Sequence, residues 1–540
     1  MVSWQQMKRK GSYKKMMAQS IEQFLVQLDG LDIKLWVEAG QLRFRAPQGR
    51  LTASLRGQIS ARKEEMIACL QQAYQTQKIA IIHPVTREGQ LPLSFAQQRL
   101  WFNQTTNRAS SYNIIATFRL EGKLDLPALE QSLDALLDRH EVLRTIFPSV
   151  DGIPHQVITA AVPVKLVPID LQDKPLAAQD AAIEELIRQE VLHLYDLATG
   201  PLVRIRLAKQ ANECYAILFS FNHILIDAGS LAQIFDELGI LYNAYTTGTP
   251  SPLPSLALQY ADYAYWQRHS LTPAMMEARV NYWVERLTRE TPLFELNRDK
   301  PRPVTETFRG SILPFQITVE QTDQLKALQS SLGATLFNSL LAAWAALLYR
   351  YGQGEELVVG SPFSNRTHQE LEGVIGHWGS LLLLPLRFQD NPTFLDILQQ
   401  VKQATQDAIA NDVPIDQLIE ALPAARKRNN LPHQFLLSFL PGSPTTSLKL
   451  SAITVTPIEK KTVMLRPDLA FTVWEDTSAD GSRLAGWWEY KLDLFEQTSI
   501  SRMIKDFHRL LDALSADPTC RIDSVPLPNA PAIIDRMRVL

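Results

Sequence analysis

The stretch Tyr215-Ala-Ile-Leu-Phe-Ser-Phe-Asn-His-Ile-Leu-Ile-Asp-Ala-Gly-Ser230 decides the fold. Its first seven residues are nearly all apolar, as expected of a strand covered on both faces. Beyond it, Leu231, Ile234, Phe235 and Leu238 follow helical spacing. Ser230 with Gln233 three residues later has the form of a capping box, which predicts the helix start there. Asn222, His223 and Asp227 therefore sit on a tight strand-to-helix connection, where polar side chains reach a cleft from a fixed backbone. A buried strand feeding a helix in this way implies a mixed α and β fold.

An imidazole titrates near neutrality, which suits His223 to removing a proton from an attacking amine or hydroxyl. On that reading Asp227 organises the loop. The same residues also fit a core histidine satisfied by backbone beside an ordinary turn aspartate, because HxxxD is a short pattern. No other local arrangement competes. The chain has no GxSxG elbow, HExxH, paired CxxC, Walker A loop or GxGxxG after a strand.

Outward from this segment, 540 residues exceed one ordinary core and suggest three or four domains or lobes. The hydrophobic fraction of 46% and charged fraction of 21% exclude a wholly disordered or fibrous chain. Lys+Arg 54 against Asp+Glu 57 leaves a net charge of -3, so the chain is a poor general nucleic-acid binder and no nucleic-acid partner is expected. Cys69, Cys214 and Cys520 are few, odd in number and without metal-ligand spacing, as in a reducing compartment. The longest apolar stretch, Leu336 to Leu348, contains Asn338 and Ser339 and is too short to span a bilayer. It reads as a buried helix. With no signal-peptide core near the basic N-terminus, the expected location is cytoplasmic, with no membrane partner.

The chain divides as a flexible basic tail (1–19), a compact block (20–75), a linker (76–90) and a large domain (91–540). Within the block, Ile21, Phe24, Leu25 and Leu28 predict a helix that Gly30 stops. Leu35–Glu38 and Gln41–Arg45 flank Ala39-Gly40 as a hairpin, and Leu55 to Gln72 is a second helix. A block this small buries little, and dimerising is one way it gains stability. In the large domain the patterning predicts helices over Pro127–Leu143, Glu320–Leu332 and Thr335–Tyr351. It predicts strands over Cys214–Asn222 and Leu357–Gly360. Proline-rich seams at Thr249–Leu256 and Asp299–Pro303 suggest two lobes, about 91–255 and 256–530, with a crossover between them.

Motifs in order along the large domain resemble the condensation domain of nonribosomal peptide synthetases. Leu93-Ser-Phe-Ala-Gln-Gln-Arg-Leu-Trp-Phe102 is similar to SxAQxRLW(F/Y), and Arg139-His-Glu-Val-Leu-Arg-Thr-Ile-Phe147 to RHExLRTxF. Asn222 to Gly229 falls where HHxxxDG lies, and Tyr260 to Gln267 matches YxDYAxWQ. Val358 to Arg366, Ile375-Gly376, Asp412 to Asp416 and Arg428-Asn429 to Phe439 echo the later motifs. The resemblance implies two chloramphenicol-acetyltransferase-like lobes in a V. It implies donor and acceptor groups arriving on phosphopantetheine arms of carrier proteins, with no cofactor bound covalently and no metal. His223 matches the catalytic histidine and Asp227 the structural aspartate, for which Arg144 is the expected partner. Arg144 also reads as a solvated helix-end charge.

Three departures stand out. Asn222 replaces the first histidine as a structural residue, Ala228 replaces the motif glycine ahead of Gly229 at the substrate channel, and Ser380-Leu381 replaces an Asn-Thr pair. Asn222 with Asp227-Ala228-x-Ser230 also leans toward the DxxxxDAxS pattern of heterocyclisation domains, so esterification, cyclisation and a catalytically inactive recruitment platform stand as alternatives to amide-bond formation. The compact block, above all Leu35 to Pro47, is similar to tubulysin-type N-terminal docking domains. That implies a helix-hairpin-helix unit, a possible homodimer, and a hairpin edge that receives the C-terminal tail of an upstream subunit. Arg43 and Arg45 alternate with Leu42 and Phe44, so they either meet an acidic tail or form a solvated face. The expected protein is a subunit-start fragment or a free-standing acyltransferase.

Overall fold

In the computed structural model, residues 81–530 are described except 107–111, 289–293, 306, 365, 367, 424–433, 441, 443–447, 459–462 and 479–480; before them, residues 34–38, 41–45, 55, 57, 59, 62, 63 and 66. The chain separates into two units, Met1–His83 and Pro84–Leu540. In the first, β1 (Lys34–Glu38) pairs antiparallel with β2 (Gln41–Arg45), Lys34 opposite Arg45 and Glu38 opposite Gln41. This is the hairpin expected from the alternation. The expected helix Ile21–Leu28, the tail 1–19 and the side chains of Arg43 and Arg45 lie outside the described residues.

The large unit starts at Pro84, ahead of the domain boundary expected at Leu91. Its first residues are tied down. The Arg87 guanidinium binds Glu141 at 2.8 Å and Asp262 at 2.6 Å, and the Val85 N–H donates to the same Asp262 at 2.8 Å. The segment from Val85 to Arg87, expected as linker, thus belongs to the folded body.

Two sheets organise the unit. Helix α1 (Phe95–Thr106) precedes β3 (Asn113–Glu121), and α2 (Leu126–Arg139) follows it. Then come β4 (Ile169–Asp170), α3 (Leu176–Leu192), β5 (Val203–Ala211), β6 (Cys214–Asn222), α4 (Ala228–Thr246) and α5 (Tyr260–Ser270). The second half has β7 (Arg309–Ile317), α6 (Leu336–Tyr351), β8 (Glu356–Ser364), β9 (Gly379–Arg387) and α7 (Phe394–Ala410). It closes with β10 (Phe435–Leu440), β11 (Thr454–Pro457), β12 (Val463–Met464), β13 (Leu469–Ser478), β14 (Gly481–Lys491) and α8 (Gln497–Ala516).

Among the described residues the first sheet has the order β11-β3-β6-β5-β4, and the second β9-β8-β10-β13-β14-β7-β12. The strand β11 comes from the second half of the chain but pairs with β3, Thr454 opposite Glu121 and Pro457 opposite Phe118. A strand from the second half thus completes the first sheet. In the second sheet β8, β10 and β13 run parallel in their mutual pairings, and the other ladders are antiparallel. Helix α6 is capped by Thr335, which accepts from the Asn338 N–H, and Leu340 to Leu348 are fully buried. Its apolar length serves a core, as its polar Asn338 and Ser339 suggest. Among the described residues no helix is long and apolar enough to cross a membrane.

Two element ends differ from expectation. Strand β8 runs on to Ser364 because β9 pairs with it along its whole length, Glu356 opposite Arg387 and Ser364 opposite Gly379. Helix α2 stops at Arg139, not Leu143. The buried His140 turns out of it to meet Glu237 on α4 at 2.7 Å, Arg139 binds the same carboxylate at 3.0 Å, and Glu141–Arg144 continues as one 3-10 turn. A charge-assisted pair with a buried carboxylate outweighs one more turn of helix, because leaving that carboxylate unmatched in the core costs more.

Candidate active site

Strand β6 pairs on both edges, with β3 and β5, and from Ala216 to Asn222 it is buried throughout. It delivers its last residue to a fixed point. There Asn222 donates through Nδ2 to Gln104 Oε1 on α1 at 2.9 Å, and its Oδ1 accepts from the Ile224 N–H at 3.1 Å. Gln104 in turn donates to the Tyr195 carbonyl at 2.7 Å. An amide uses both its donor and its acceptor here, pinning α1 to the end of the strand.

His223 follows, its backbone N–H held by the Tyr112 carbonyl at 2.7 Å. Its Nδ1 lies 2.7 Å from the Ile226 carbonyl oxygen. A carbonyl only accepts, so Nδ1 carries the proton and Nε2 of the neutral ring keeps its lone pair. Burial lowers the His223 pKa, opposed by the Ile226 carbonyl and the Asp227 charge. The imidazole is therefore neutral at pH 7, the form that a general base requires.

Asp227, not Ser230, caps α4. Its Oδ1 accepts from the Ser230 N–H at 2.8 Å, and the helix begins at Ala228. The other oxygen crosses to the second half and accepts from the Trp378 N–H at 3.2 Å. Ser230 is freed for the same crossing: its hydroxyl donates to the Gly376 carbonyl at 2.7 Å and accepts from the Gly376 N–H at 3.1 Å. Gln233 reaches the Gly373 carbonyl at 2.7 Å. The predicted capping pair is thus spent on a latch between α4 and the 373–378 loop. Ala228 and Gly229 form the first turn of the helix, half-buried and exposed respectively, so the methyl of Ala228 fits an ordinary helical position.

Arg144 does not meet Asp227. The 3-10 turn directs its guanidinium to the Leu137 carbonyl at 3.2 Å and the Thr159 carbonyl at 2.6 Å, on the wall of a cavity of about 520 Å3 within the first half. The arginine near this turn is Arg366, just past β8, which feels the Asp227 charge. It donates to the Ser230 hydroxyl at 2.9 Å and lies over the Trp378 ring at 5.3 Å. Arg366 is the last residue of the 358–366 motif, but its contact with Ser230 spans 136 residues and leaves no periodic signal.

The 373–378 loop is fixed by close packing. A Cβ on Gly376 would lie 1.8 Å from Tyr260 Cδ2, so only glycine fits. The Tyr260 hydroxyl meets Ser94 Oγ at 2.9 Å and donates to the His377 carbonyl, joining α5 and the segment before α1 to the loop. Burial pushes its pKa well up, so it stays a hydroxyl. The loop opens on a cleft whose walls include Arg99, Tyr263, Trp378, Gly379, Ser380 and Asp416. Among the described residues no group of histidines, cysteines or carboxylates could hold a metal ion, and Cys214 and Cys520 are free thiols.

This arrangement is found where the condensation-domain family model matches the chain, over residues 87–531. The chain belongs to the condensation-domain family. A second model, the TubC N-terminal docking domain, matches residues 21–72 ahead of it. The condensation domain is similar to parts of nonribosomal peptide synthetases. A linear gramicidin synthase chain of Brevibacillus parabrevis is 34% identical over 473 residues, 87% of this chain and 6% of that protein. Malpinin synthetase of Mortierella alpina is 33% identical over 449 residues, 83% and 6% respectively. The chain therefore spans less than a tenth of these curated relatives. Among solved structures, the X-domain from teicoplanin biosynthesis superposes with a TM-score of 0.73 at 26% identity, over 83% of this chain and 99% of that one. The EpoB cyclization-docking bidomain of Sorangium cellulosum gives 0.70 at 20% identity, over 93% and 99%, a likeness of fold.

Proposed function

We propose that this condensation domain forms an amide bond between an acyl or peptidyl thioester and an amine, both carried on phosphopantetheine arms of carrier proteins. The observation that carries the reading is the fixed, neutral His223, whose Nδ1–H is bound by the Ile226 carbonyl and whose Nε2 lone pair is left to act. The amine nitrogen attacks the thioester carbon, the C–N bond forms and the C–S bond breaks. His223 Nε2 takes the proton released from nitrogen and returns it to the leaving thiolate. Holding the two arms in line contributes a large part of the rate, since positioning alone can be worth about 7–11 kcal/mol. Asn222 and Asp227 hold the loop without touching the reacting atoms.

The docking domain would recruit the C-terminal tail of an upstream subunit to its hairpin edge, with Arg43 and Arg45 meeting an acidic tail. Homodimerisation and a cytoplasmic setting belong to the same reading. The test offers wild type and His223→Ala a panel of acyl-loaded carriers with amine, alcohol and thiol acceptors, read by intact mass. Amide formed by wild type and lost in the variant supports the proposal. An ester or thiazoline product would move the chemistry to the acceptor alternatives.

A second reading, recruitment without turnover, is favoured by the likeness to the teicoplanin X-domain, which was solved in complex with OxyB. It predicts a stable complex and no product from any acceptor.

A further inference from the structure

His377 is buried, with 3% of its surface exposed, and neither ring nitrogen has a hydrogen-bond partner among the described residues. Its ring meets His223 edge to face, centroids 4.6 Å apart and planes at 81°. A hydrocarbon side chain would fill this space without leaving a donor and an acceptor unmet, and buried polar groups are as a rule satisfied. The unmet nitrogens therefore point to a partner that comes and goes. The ring edge also has a direction. A Cβ built on Gly379 would lie 3.6 Å from His377 Cε1 and 4.0 Å from Nε2, and Gly379 is part of the cleft wall. Where most residues would cover the imidazole with a side chain, glycine leaves its Nε2 edge behind the cleft wall that Gly379 forms.

We propose that His377 is a second substrate-binding imidazole, which hydrogen-bonds through Nε2 a polar group of the acceptor as it passes Gly379 and so holds the nucleophile against His223. This rests on the reading of His223 as the proton-accepting residue. The two rings are held differently: His223 binds the Ile226 carbonyl through Nδ1, whereas His377 is fixed by Tyr260 through its backbone carbonyl.

The test uses the full chain with 15N-labelled histidine and an unreactive aminoacyl-pantetheine thioether as probe. Binding shifts the His377 ring-nitrogen signals, assigned by their absence in His377→Gln. In turnover assays His377→Leu raises the acceptor KM roughly tenfold with a smaller change in kcat, and His377→Gln restores part of it. Gly379→Ala, whose methyl stands at ordinary contact distance, raises the same KM. Unshifted signals at saturating probe, or wild-type KM in both His377→Leu and Gly379→Ala, would overturn the proposal. The nitrogen shift needs no turnover, so an inactive wild type that still shifts would sink the His223 reading and leave the His377 contact standing.

Discussion

The Asp227 carboxylate and the Trp378 backbone N–H meet at 3.2 Å across 151 residues of sequence, while the second oxygen of the same carboxylate caps α4. One side chain thus ends the loop that carries His223 and anchors the loop that carries His377. Replacing Asp227 by Ala removes both. The cap alone is worth about 1–2 kcal/mol, and a buried N–H left without a partner costs roughly as much again. Denaturant midpoints should fall accordingly. Asp227→Asn, which still accepts at one oxygen, should lose less.

On the proposed reading, His223→Ala removes the proton acceptor but no cap. Its rate of amide formation, followed in single turnovers, should drop by about 10²- to 10⁴-fold, with the melting temperature little changed. A fall in rate matched by a fall in stability would assign His223 a structural part instead.

Gly376→Ala places a methyl 1.8 Å from the Tyr260 ring. The ring is fully buried and cannot swing away, so overpacking should cost about 1–3 kcal/mol and loosen the latch. Protease susceptibility of the 373–378 loop reads this directly.

Burial depresses His223 and His377 below the ordinary 6.5, His377 far below it. Above 6.5 folded and unfolded chains both hold neutral rings, and stability does not depend on these groups. As the pH falls below 6.5 the unfolded chain takes up protons that the folded chain refuses, and stability declines until the depressed values are reached. Unfolding free energy measured between pH 7 and 5 should fall, less steeply in His377→Leu. The acid limb of the rate profile should lie below 6.5 and shift little with ionic strength.

Much of this was legible in the sequence, for a physical reason. The run from Tyr215 to Phe221 is apolar because both faces are covered, and the hairpin Lys34 to Arg45 alternates because a strand pleats. Local periods report such elements faithfully. The partner of Asp227 was not legible: Arg144 is plausible as a charge, and only the fold decides that it faces Leu137 and Thr159 while the Asp227 oxygens take the N–H groups of Ser230 and Trp378. The helix start was ambiguous for a related reason. Asp227 and Ser230 are both good caps, and what settles the choice is that Gly376 claims the serine hydroxyl from 146 residues away. His377 carried no signal in its neighbours, since an unmet nitrogen is a property of surroundings assembled from the His223 loop, α5 and β9.

The pairing of β11 with β3 has a practical outcome for anyone cutting this protein apart. A fragment ending near residue 255 would carry its own strands and helices yet leave β3 with a bare edge where Thr454 to Pro457 belong. Exposed edges of that kind invite pairing between copies. Expressed alone, the first half should aggregate; supplied with a peptide covering residues 450–458, it should stay in solution, because the chain donates that strand to itself.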